Sequence, residues 1–229
     1  MDWAAVLWVV GGYLAGTLPS TLLVAKAKRA TALVAASRRN AGETDPHILM
    51  TKHLGVGWAA VAATFDVGKA LVFVLAARRW GSLDDPWLAL VGVAVMLGHS
   101  FPFYAREMAG RGLAATAGVY LVLLPIQMVV AGLIIVAGGA ARATGIATTI
   151  AMASVPVIAA FQGQPGAFIA MSVAIFAVLM IRRMEGVHLV IRGGIPAGRA
   201  ILYRCLFDSS GPPARTGGVP AGQEQLPPR

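Results

Sequence analysis

A histidine and an arginine lie among glycines in an otherwise apolar region of the chain. The segment Gly98-His99-Ser100-Phe101-Pro102-Phe103 is followed after a few residues by Gly110-Arg111-Gly112. Ionisable side chains and irregular backbone are costly in lipid unless they line a cavity or a watery face. Backbone N–H groups beside a guanidinium form a cradle for phosphate. The pattern therefore predicts a phosphate site at Arg111, and the alternative is a helix-ending turn with an arginine at the cytoplasmic membrane face.

Composition defines the class of protein that must position these residues. Hydrophobic residues make up 57% of the chain and charged residues 13%, whereas soluble domains carry about 25% charged residues. This predicts an all-α integral membrane protein. The net charge of +9 does not indicate a nucleic-acid partner, because aromatic residues are few and the basic residues lie between apolar runs. The single cysteine, Cys205, excludes an internal disulfide. We expect no cofactor and no metal.

Apolar runs predict about seven transmembrane helices. The fourth run is short for a span of roughly 20 residues and leads into Pro125. It could be fused with the fifth as one proline-kinked helix, which would give six spans. The predicted helices cover residues 3–25, 54–77, 86–105, 112–124, 126–141, 146–161 and 167–181.

The positions of Lys and Arg favour seven spans, with the N-terminus outside and the C-terminus in the cytoplasm. Six spans would place Arg142 and the basic C-terminus outside, against the positive-inside rule. With seven, only Arg78 and Arg79 lie outside and Lys69 lies within a helix. The other basic residues are then cytoplasmic: Lys26, Lys28, Arg29, Arg38, Arg39, Lys52, Arg106, Arg111, Arg142, Arg182, Arg183, Arg192, Arg199, Arg204, Arg215 and Arg229.

Three segments follow from this pattern. Residues 1–186 form the membrane domain. Residues 187–206 mix apolar side chains with arginines and a histidine, which predicts an interfacial segment on the membrane surface. Residues 207–229 are rich in Gly, Pro and polar residues, which predicts a disordered tail.

Several short motifs occur in a fixed order along the membrane domain. Gly12-Tyr13-Leu14-Ala15-Gly16-Thr17-Leu18-Pro19 comes first, and the next loop carries Asn40, Gly42 and Thr44. Asp66-Val67-Gly68-Lys69 follows, and then the two glycine-flanked segments around His99 and Arg111. The ordered set resembles the bacterial acyl-phosphate:glycerol-3-phosphate acyltransferases of phospholipid synthesis, which are seven-helix membrane enzymes.

The resemblance implies an enzyme of the bacterial inner membrane whose active face is cytoplasmic. Such an enzyme moves a fatty acyl group from acyl phosphate to the sn-1 hydroxyl of glycerol 3-phosphate and gives lysophosphatidic acid. Its partners are those two substrates and the membrane lipids. Carried over to matching positions, the resemblance assigns catalysis to His99 and Arg111. It assigns substrate or phosphate binding to Asn40, Gly42, Thr44, Lys52, Gly110, Gly112 and Glu185. Arg183 stands at a family position with a different residue, where it could bind phosphate by another route or only end the last helix with positive charge.

The chain also departs from the family pattern. Arg38 stands where the family has serine, Met108 where it has lysine, and Arg183 and Gly186 where it has histidine and asparagine. Lys52 aligns with a family arginine only across an apparent insertion that includes Pro46-His47-Ile48-Leu49. These departures leave open a non-catalytic relative that acts as a membrane regulator or assembly partner. A small transporter is a weaker alternative, because no internal repeat is evident.

Asp66 and Lys69 form a second candidate constellation. They are spaced i and i+3, which puts both side chains on one face of the second predicted helix. Each would cost about 2.5–3.5 kcal/mol if isolated near the middle of the membrane. We expect them to pair with each other or with polar neighbours, and to support the structure rather than perform catalysis.

Overall fold

The computed structural model describes residues 2–39 and 45–207, and over these residues the chain is helical. A 3₁₀ turn covers Arg106–Met108. The α-helices are α1 Trp3–Gly16, α2 Ser20–Ala27, α3 Thr31–Arg39, α4 Pro46–Leu54, α5 Val56–Trp80, α6 Asp85–Ser100, α7 Leu113–Leu123, α8 Pro125–Ala140, α9 Thr144–Phe161, α10 Gly166–Arg183, α11 Val187–Arg192 and α12 Ala197–Phe207.

The prediction of one continuous helix over residues 3–25 is wrong, because the structure has two helices there. α1 ends at Gly16 and α2 begins at Ser20, with Pro19 between them at φ −88° and ψ 87°. Proline has no N–H to donate to the preceding turn, so the helical ladder is interrupted at this position. At this break the backbone carbonyls of Thr17 and Leu18 accept from the side chains of Tyr104 and Lys69.

The third predicted helix, over residues 86–105, ends earlier than expected. α6 stops at Ser100, and Phe101 has φ −133° and ψ 58°. The ring of the following Pro102 disfavours the helical conformation for the residue before it. His99 therefore lies in the last turn of α6 instead of inside a longer helix.

The loop after α2 contains helices that the apolar pattern did not predict. Asp45 caps the start of α4, where its side chain accepts from the backbone N of His47 at 2.8 Å, and Pro46 is the first residue of the helix. Asp before Pro at a helix start is a favourable capping arrangement. The residues first interpreted as an insertion thus form part of a short helix beside the bundle.

Four segments of the described chain are long and apolar enough to cross a membrane: Trp3–Ala27, α5, α9 and α10. α7 and α8 are shorter apolar helices. They are not fused, because Leu124 leaves the helical conformation at φ −139° and ψ 57°. α8 then runs back along α9: Gln127 bonds Gln162 at 2.6 Å, and Gly138 packs on Ala147.

Close glycine contacts hold α1 against α6. A Cβ on Gly16 would lie 2.1 Å from the carbonyl oxygen of Val95, and one on Gly98 would lie 2.0 Å from that of Tyr13. Only glycine permits this approach of two backbones. The contact brings the broken end of α1, the last turn of α6 and the loop after it to one end of the bundle, here called the site end.

Candidate active site

Asp66 is the centre of a buried polar cluster at the site end. Its carboxylate is fully buried on α5 and contacts side chains from four helices. The Asp66 cluster consists of Ser20 (Oγ to Oδ2, 2.6 Å), His47 (Nε2 to Oδ2, 3.1 Å), Lys69 (Nζ to Oδ1, 2.7 Å), His99 (Nδ1 to Oδ1, 3.3 Å) and Asp66 itself. The predicted pairing of Asp66 with Lys69 is present, and it is one part of a larger network.

The break between α1 and α2 supplies part of this cluster. Lys69 donates to the carbonyl oxygen of Leu18 at 2.5 Å, and Ser20 opens α2 with its hydroxyl on Asp66. In a continuous helix the Leu18 carbonyl would accept from a backbone N–H of its own helix. The proline break therefore allows Lys69 to be satisfied by two acceptors away from water.

His99 lies between the Asp66 cluster and the loop Met108-Ala109-Gly110-Arg111-Gly112, here called the glycine loop. It is 6% exposed, and its Nδ1 lies 3.3 Å from Asp66 Oδ1 and 3.2 Å from Lys69 Nζ. Its Nε2 has no hydrogen-bond partner among the described residues and faces Gly110, where a Cβ would lie only 2.2 Å away. Gly110 thus allows the loop backbone to contact the imidazole edge. A narrow cavity lined by Ser20, His47, Asp66, His99 and Gly110 opens here.

His47 belongs to the site, although the sequence did not single it out. It lies in the first turn of α4 and joins that helix to α5 through Asp66. Burial lowers the pKa of His47, but the hydrogen bond to Asp66 and the charges of Asp45 and Asp66 outweigh it, so the pKa is raised above 6.5. The capping sequence Asp45-Pro46 could have revealed that a helix holds this histidine in place.

The glycine loop is fastened from both sides. Thr21 donates to the carbonyl of Met108 at 3.3 Å. On the opposite side, Arg182 Nη2 donates to the carbonyls of Ala109 and Gly110 at 3.2 and 3.3 Å. Arg182 is buried and also pairs with Glu185. Arg182 was not predicted as a site residue, and the doublet it forms with Arg183 at the end of an apolar run was its only sequence signal.

Gly112 ends the loop with a positive φ. Its φ is +98°, and a Cβ there would lie 2.6 Å from Met96 Cε and 2.8 Å from Ser100 Oγ. L-amino acids with a side chain rarely adopt this conformation. Gly112 directs the chain into α7 directly after Arg111. Its conformation therefore sets the position of the Arg111 side chain relative to α7.

Arg111 lines a second and larger cavity, here called the Arg111 cavity. Its volume is about 310 Å³, within the range of small-molecule sites. Arg183 also lines it, and its Nη1 donates to the hydroxyl of Thr149 and to the carbonyl of Cys205. The remaining lining residues are Asp45, Ile48, Leu113, Thr144, Gly145, Thr148, Met152, Leu179 and Met180. The cavity lining therefore combines the two cations Arg111 and Arg183 with one carboxylate, Asp45, and an apolar wall.

The structure brings together some of the predicted residues and leaves others apart. His99 and Gly110 line the first cavity, and Arg111 and Arg183 line the second. Glu185 is half-buried and pairs with Arg182, which in turn contacts the loop. Lys52 is exposed in the last turn of α4 and lines neither cavity. Asn40, Gly42 and Thr44 lie outside the described residues, as does the predicted tail from residue 208.

Residues 187–206, predicted as an interfacial segment, form α11 and most of α12. α12 packs on α9 and α10, and its Ala200 and Arg204 are each 1% exposed. Ile201 and Leu202 of the same helix are exposed. One face of α12 is therefore docked on the bundle, and the other carries apolar side chains.

Comparison with known proteins points to a single family. The model of the family described as glycerol-3-phosphate acyltransferase matches residues 6–193. A glycerol-3-phosphate acyltransferase of Geotalea daltonii is 29% identical over 184 residues, which cover 80% of this chain and 92% of the relative. One of Geobacter sulfurreducens is 28% identical and covers 77% of this chain and 88% of its own length.

A solved structure has the same fold. It is the crystal structure of PlsY, an integral membrane glycerol 3-phosphate acyltransferase, in its glycerol 3-phosphate form. The TM-score is 0.69 at 23% sequence identity, with 82% of this chain and 92% of the PlsY chain covered. At this identity the likeness establishes the helical arrangement.

Proposed function

This chain belongs to the glycerol-3-phosphate acyltransferase family, and we propose that it transfers a fatty acyl group from acyl phosphate to the sn-1 hydroxyl of glycerol 3-phosphate. The product is lysophosphatidic acid for phospholipid synthesis. The observation that carries the proposal is the loop Gly110-Arg111-Gly112. It contributes Gly110 to the cavity of His99 and Arg111 to the Arg111 cavity. One short loop therefore connects the candidate proton acceptor with the candidate phosphate site.

The reaction needs positioning more than covalent catalysis. In acyl phosphate the carbonyl already carries a good leaving group. The glycerol hydroxyl oxygen attacks the carbonyl carbon, the bond to phosphate breaks, and phosphate departs with its electron pair. Holding two reactants in alignment can supply about 7–11 kcal/mol of the barrier. Neither a serine nor a cysteine nucleophile is required.

Arg111 is suited to bind a phosphate. A guanidinium presents paired N–H donors to phosphate oxygens, and loop amides can add to it. Arg183 lines the same cavity and adds positive charge there. The assignment of Asn40, Gly42, Thr44, Lys52 and Glu185 to substrate binding remains a proposal from the family resemblance.

His99 is the candidate acceptor for the hydroxyl proton. With the proton on Nδ1, facing the Asp66 carboxylate at 3.3 Å, Nε2 can accept from a substrate beside Gly110. Lys69 already has shorter contacts with Asp66 and with the Leu18 carbonyl, so it does not need His99 as its acceptor. A general base contributes about 10²–10⁴-fold to rate. The departing phosphate, with a second pKa of about 6, is the alternative proton acceptor.

The proposed topology is seven spans in the bacterial inner membrane with the site end in the cytoplasm. The basic residues support this orientation, because Lys26, Arg106, Arg142 and Arg192 all lie in segments near the site end while Arg78 and Arg79 lie at the other end. Membrane lipids would surround the apolar faces. No feature of the described residues calls for a nucleic-acid partner.

The direct test is an acyl-transfer assay of the purified protein in lipid with acyl phosphate and glycerol 3-phosphate. Formation of lysophosphatidic acid that requires both substrates is expected. Arg192→Gln, which changes an exposed arginine of α11, should match the wild type. If properly folded wild type forms no lysophosphatidic acid and binds neither substrate, the alternative of a non-catalytic membrane protein replaces the proposal.

A further inference from the structure

α12 lies outside the part of the chain that the family model matches, yet it reaches the candidate site. The match ends at residue 193, and α12 covers Ala197–Phe207. Its inner face is buried at Ala200, and the carbonyl of Cys205 near its end accepts from Arg183 Nη1 at 3.0 Å. An appended helix therefore contacts a residue of the Arg111 cavity directly.

Thr149 connects the same three elements. Its hydroxyl on α9 accepts from Arg183 Nη1 of α10 and lies 2.9 Å from the carbonyl of Cys205 in α12. Two acceptors on one nitrogen restrict both the rotamer and the plane of a guanidinium. Because arginine has five N–H donors in a rigid fork, a protein can fix its orientation and still use it to bind an anion.

The Arg111 cavity has the chemistry of an amphiphile site. Arg111 and Arg183 supply two positive charges against the one carboxylate in the lining, Asp45, so the balance of charge is positive, and Leu113, Met152 and Leu179 supply an apolar wall. Arg183 is only 6% exposed, so its charge is shielded from water and attracts an anion more strongly than a surface arginine does. A phosphate joined to a long acyl chain matches both halves of this lining.

We propose that α12 and Thr149 are positioning elements that hold Arg183 at the wall of the Arg111 cavity, where Arg183 and Arg111 bind the phosphate of a long-chain acyl phosphate. The acyl chain lies against the apolar wall of the cavity. The inference rests on the proposed function for the identity of the ligand. It adds to that function a specific binding residue and an appended helix that orients it.

The first test is Thr149→Val, which removes the hydroxyl and keeps the side-chain shape. We expect the KM for palmitoyl phosphate to rise about tenfold, equivalent to about 1.4 kcal/mol, with the KM for glycerol 3-phosphate within about twofold of the wild type. Thr149→Ser should restore the wild-type value, because serine keeps the hydroxyl. The matched control is Ser154→Ala on the same helix, whose hydroxyl donates to the carbonyl of Ala151 within its own helix.

The second test displaces α12 in the full chain. Ala200→Glu puts a carboxylate on the buried face, and the control Ala197→Glu puts it on the exposed face. We expect Ala200→Glu, and not Ala197→Glu, to raise the KM for palmitoyl phosphate. In a protein that already carries Arg183→Gln, adding Ala200→Glu should change this KM no further. A helix that only braces the bundle would lower the melting temperature or change both KM values alike.

Binding of palmitoyl phosphate in detergent separates this inference from the proposed function. If wild type binds palmitoyl phosphate but forms no product, acyl transfer is wrong, and the comparison of Thr149→Val with Ser154→Ala in the binding assay decides the inference alone. If wild type is active and Thr149→Val keeps both the wild-type KM and the wild-type affinity, the positioning role is wrong. Thr149→Val decides the matter even if Ala200→Glu does not fold.

Discussion

Lys69 Nζ lies 2.7 Å from Asp66 Oδ1, one turn further along α5, with both side chains almost completely buried. Removing one partner leaves a buried charge uncompensated, which costs about 3–5 kcal/mol. We therefore expect Asp66→Asn or Lys69→Met alone to lower the melting temperature strongly in detergent. The double variant should recover much of the loss, and additive losses would show that the two groups do not stabilise each other.

His99 provides a prediction about turnover. His99→Gln keeps a polar side chain of similar size but removes the proton acceptor, so kcat should fall about a hundredfold or more. The KM for acyl phosphate should change little, because the phosphate contacts assigned to Arg111 are intact. His188→Gln, at an exposed histidine of α11, is the control. Wild-type kcat in His99→Gln would favour the departing phosphate as the proton acceptor.

His47 provides a prediction about pH. Its pKa is raised in the folded protein, against burial, by its hydrogen bond to Asp66 and the charges of Asp45 and Asp66. The folded state therefore binds this proton more tightly than the unfolded state. Its contribution to stability is complete below the unfolded value of about 6.5 and is lost as pH rises through the folded pKa.

The measurement is the melting temperature in detergent as a function of pH above 6.5, for wild type and for His47→Gln. Wild type should lose stability across this range, and His47→Gln should lose less. His53→Gln, on the same helix but exposed, should follow the wild type. Parallel curves for wild type and His47→Gln would mean that His47 does not bind its proton more tightly on folding.

Topology can be tested with single cysteines in a Cys205→Ser background. Ser82 lies in the loop between α5 and α6, and Gly193 lies between α11 and α12, and both are exposed. With seven spans and a cytoplasmic site end, a membrane-impermeant thiol reagent added to intact cells should label Ser82→Cys and not Gly193→Cys. Labelling of Gly193→Cys from outside would contradict the proposed orientation.

Local sequence signals predicted the apolar helices well but not how the first one is interrupted. Hydropathy located α5, α9 and α10 to within a few residues, because a helix that crosses a membrane must be predominantly apolar over about 20 residues. The break at Pro19 escaped notice because proline can also occur within a kinked membrane helix. Only the packed structure reveals that the break exposes the Leu18 carbonyl to Lys69.

The site was predicted in part for a related reason. His99, Gly110 and Arg111 are close in sequence, and His99 and Arg111 each have glycine neighbours that predict a turn. Their proximity in space could therefore be inferred. His47 and Ser20 reach Asp66 from other helices, and a single sequence contains no record of such distant contacts. Arg182 was not predicted because arginines commonly occur at the cytoplasmic end of a membrane helix without a role in a site.

Arg111 and Lys52 give the sharpest comparison between the two predicted phosphate-binding cations. Arg111 emerges from the turn fixed by Gly112 and lines the larger cavity, whereas Lys52 is exposed and lines neither cavity. Arg111→Gln should therefore reduce kcat/KM for acyl phosphate far more than Lys52→Gln. Arg111→Lys should also lose about tenfold or more, because a point charge cannot reproduce two parallel N–H contacts to phosphate. Equal losses from Arg111→Gln and Lys52→Gln, in variants that melt like the wild type, would show that the Arg111 cavity is not where phosphate binds.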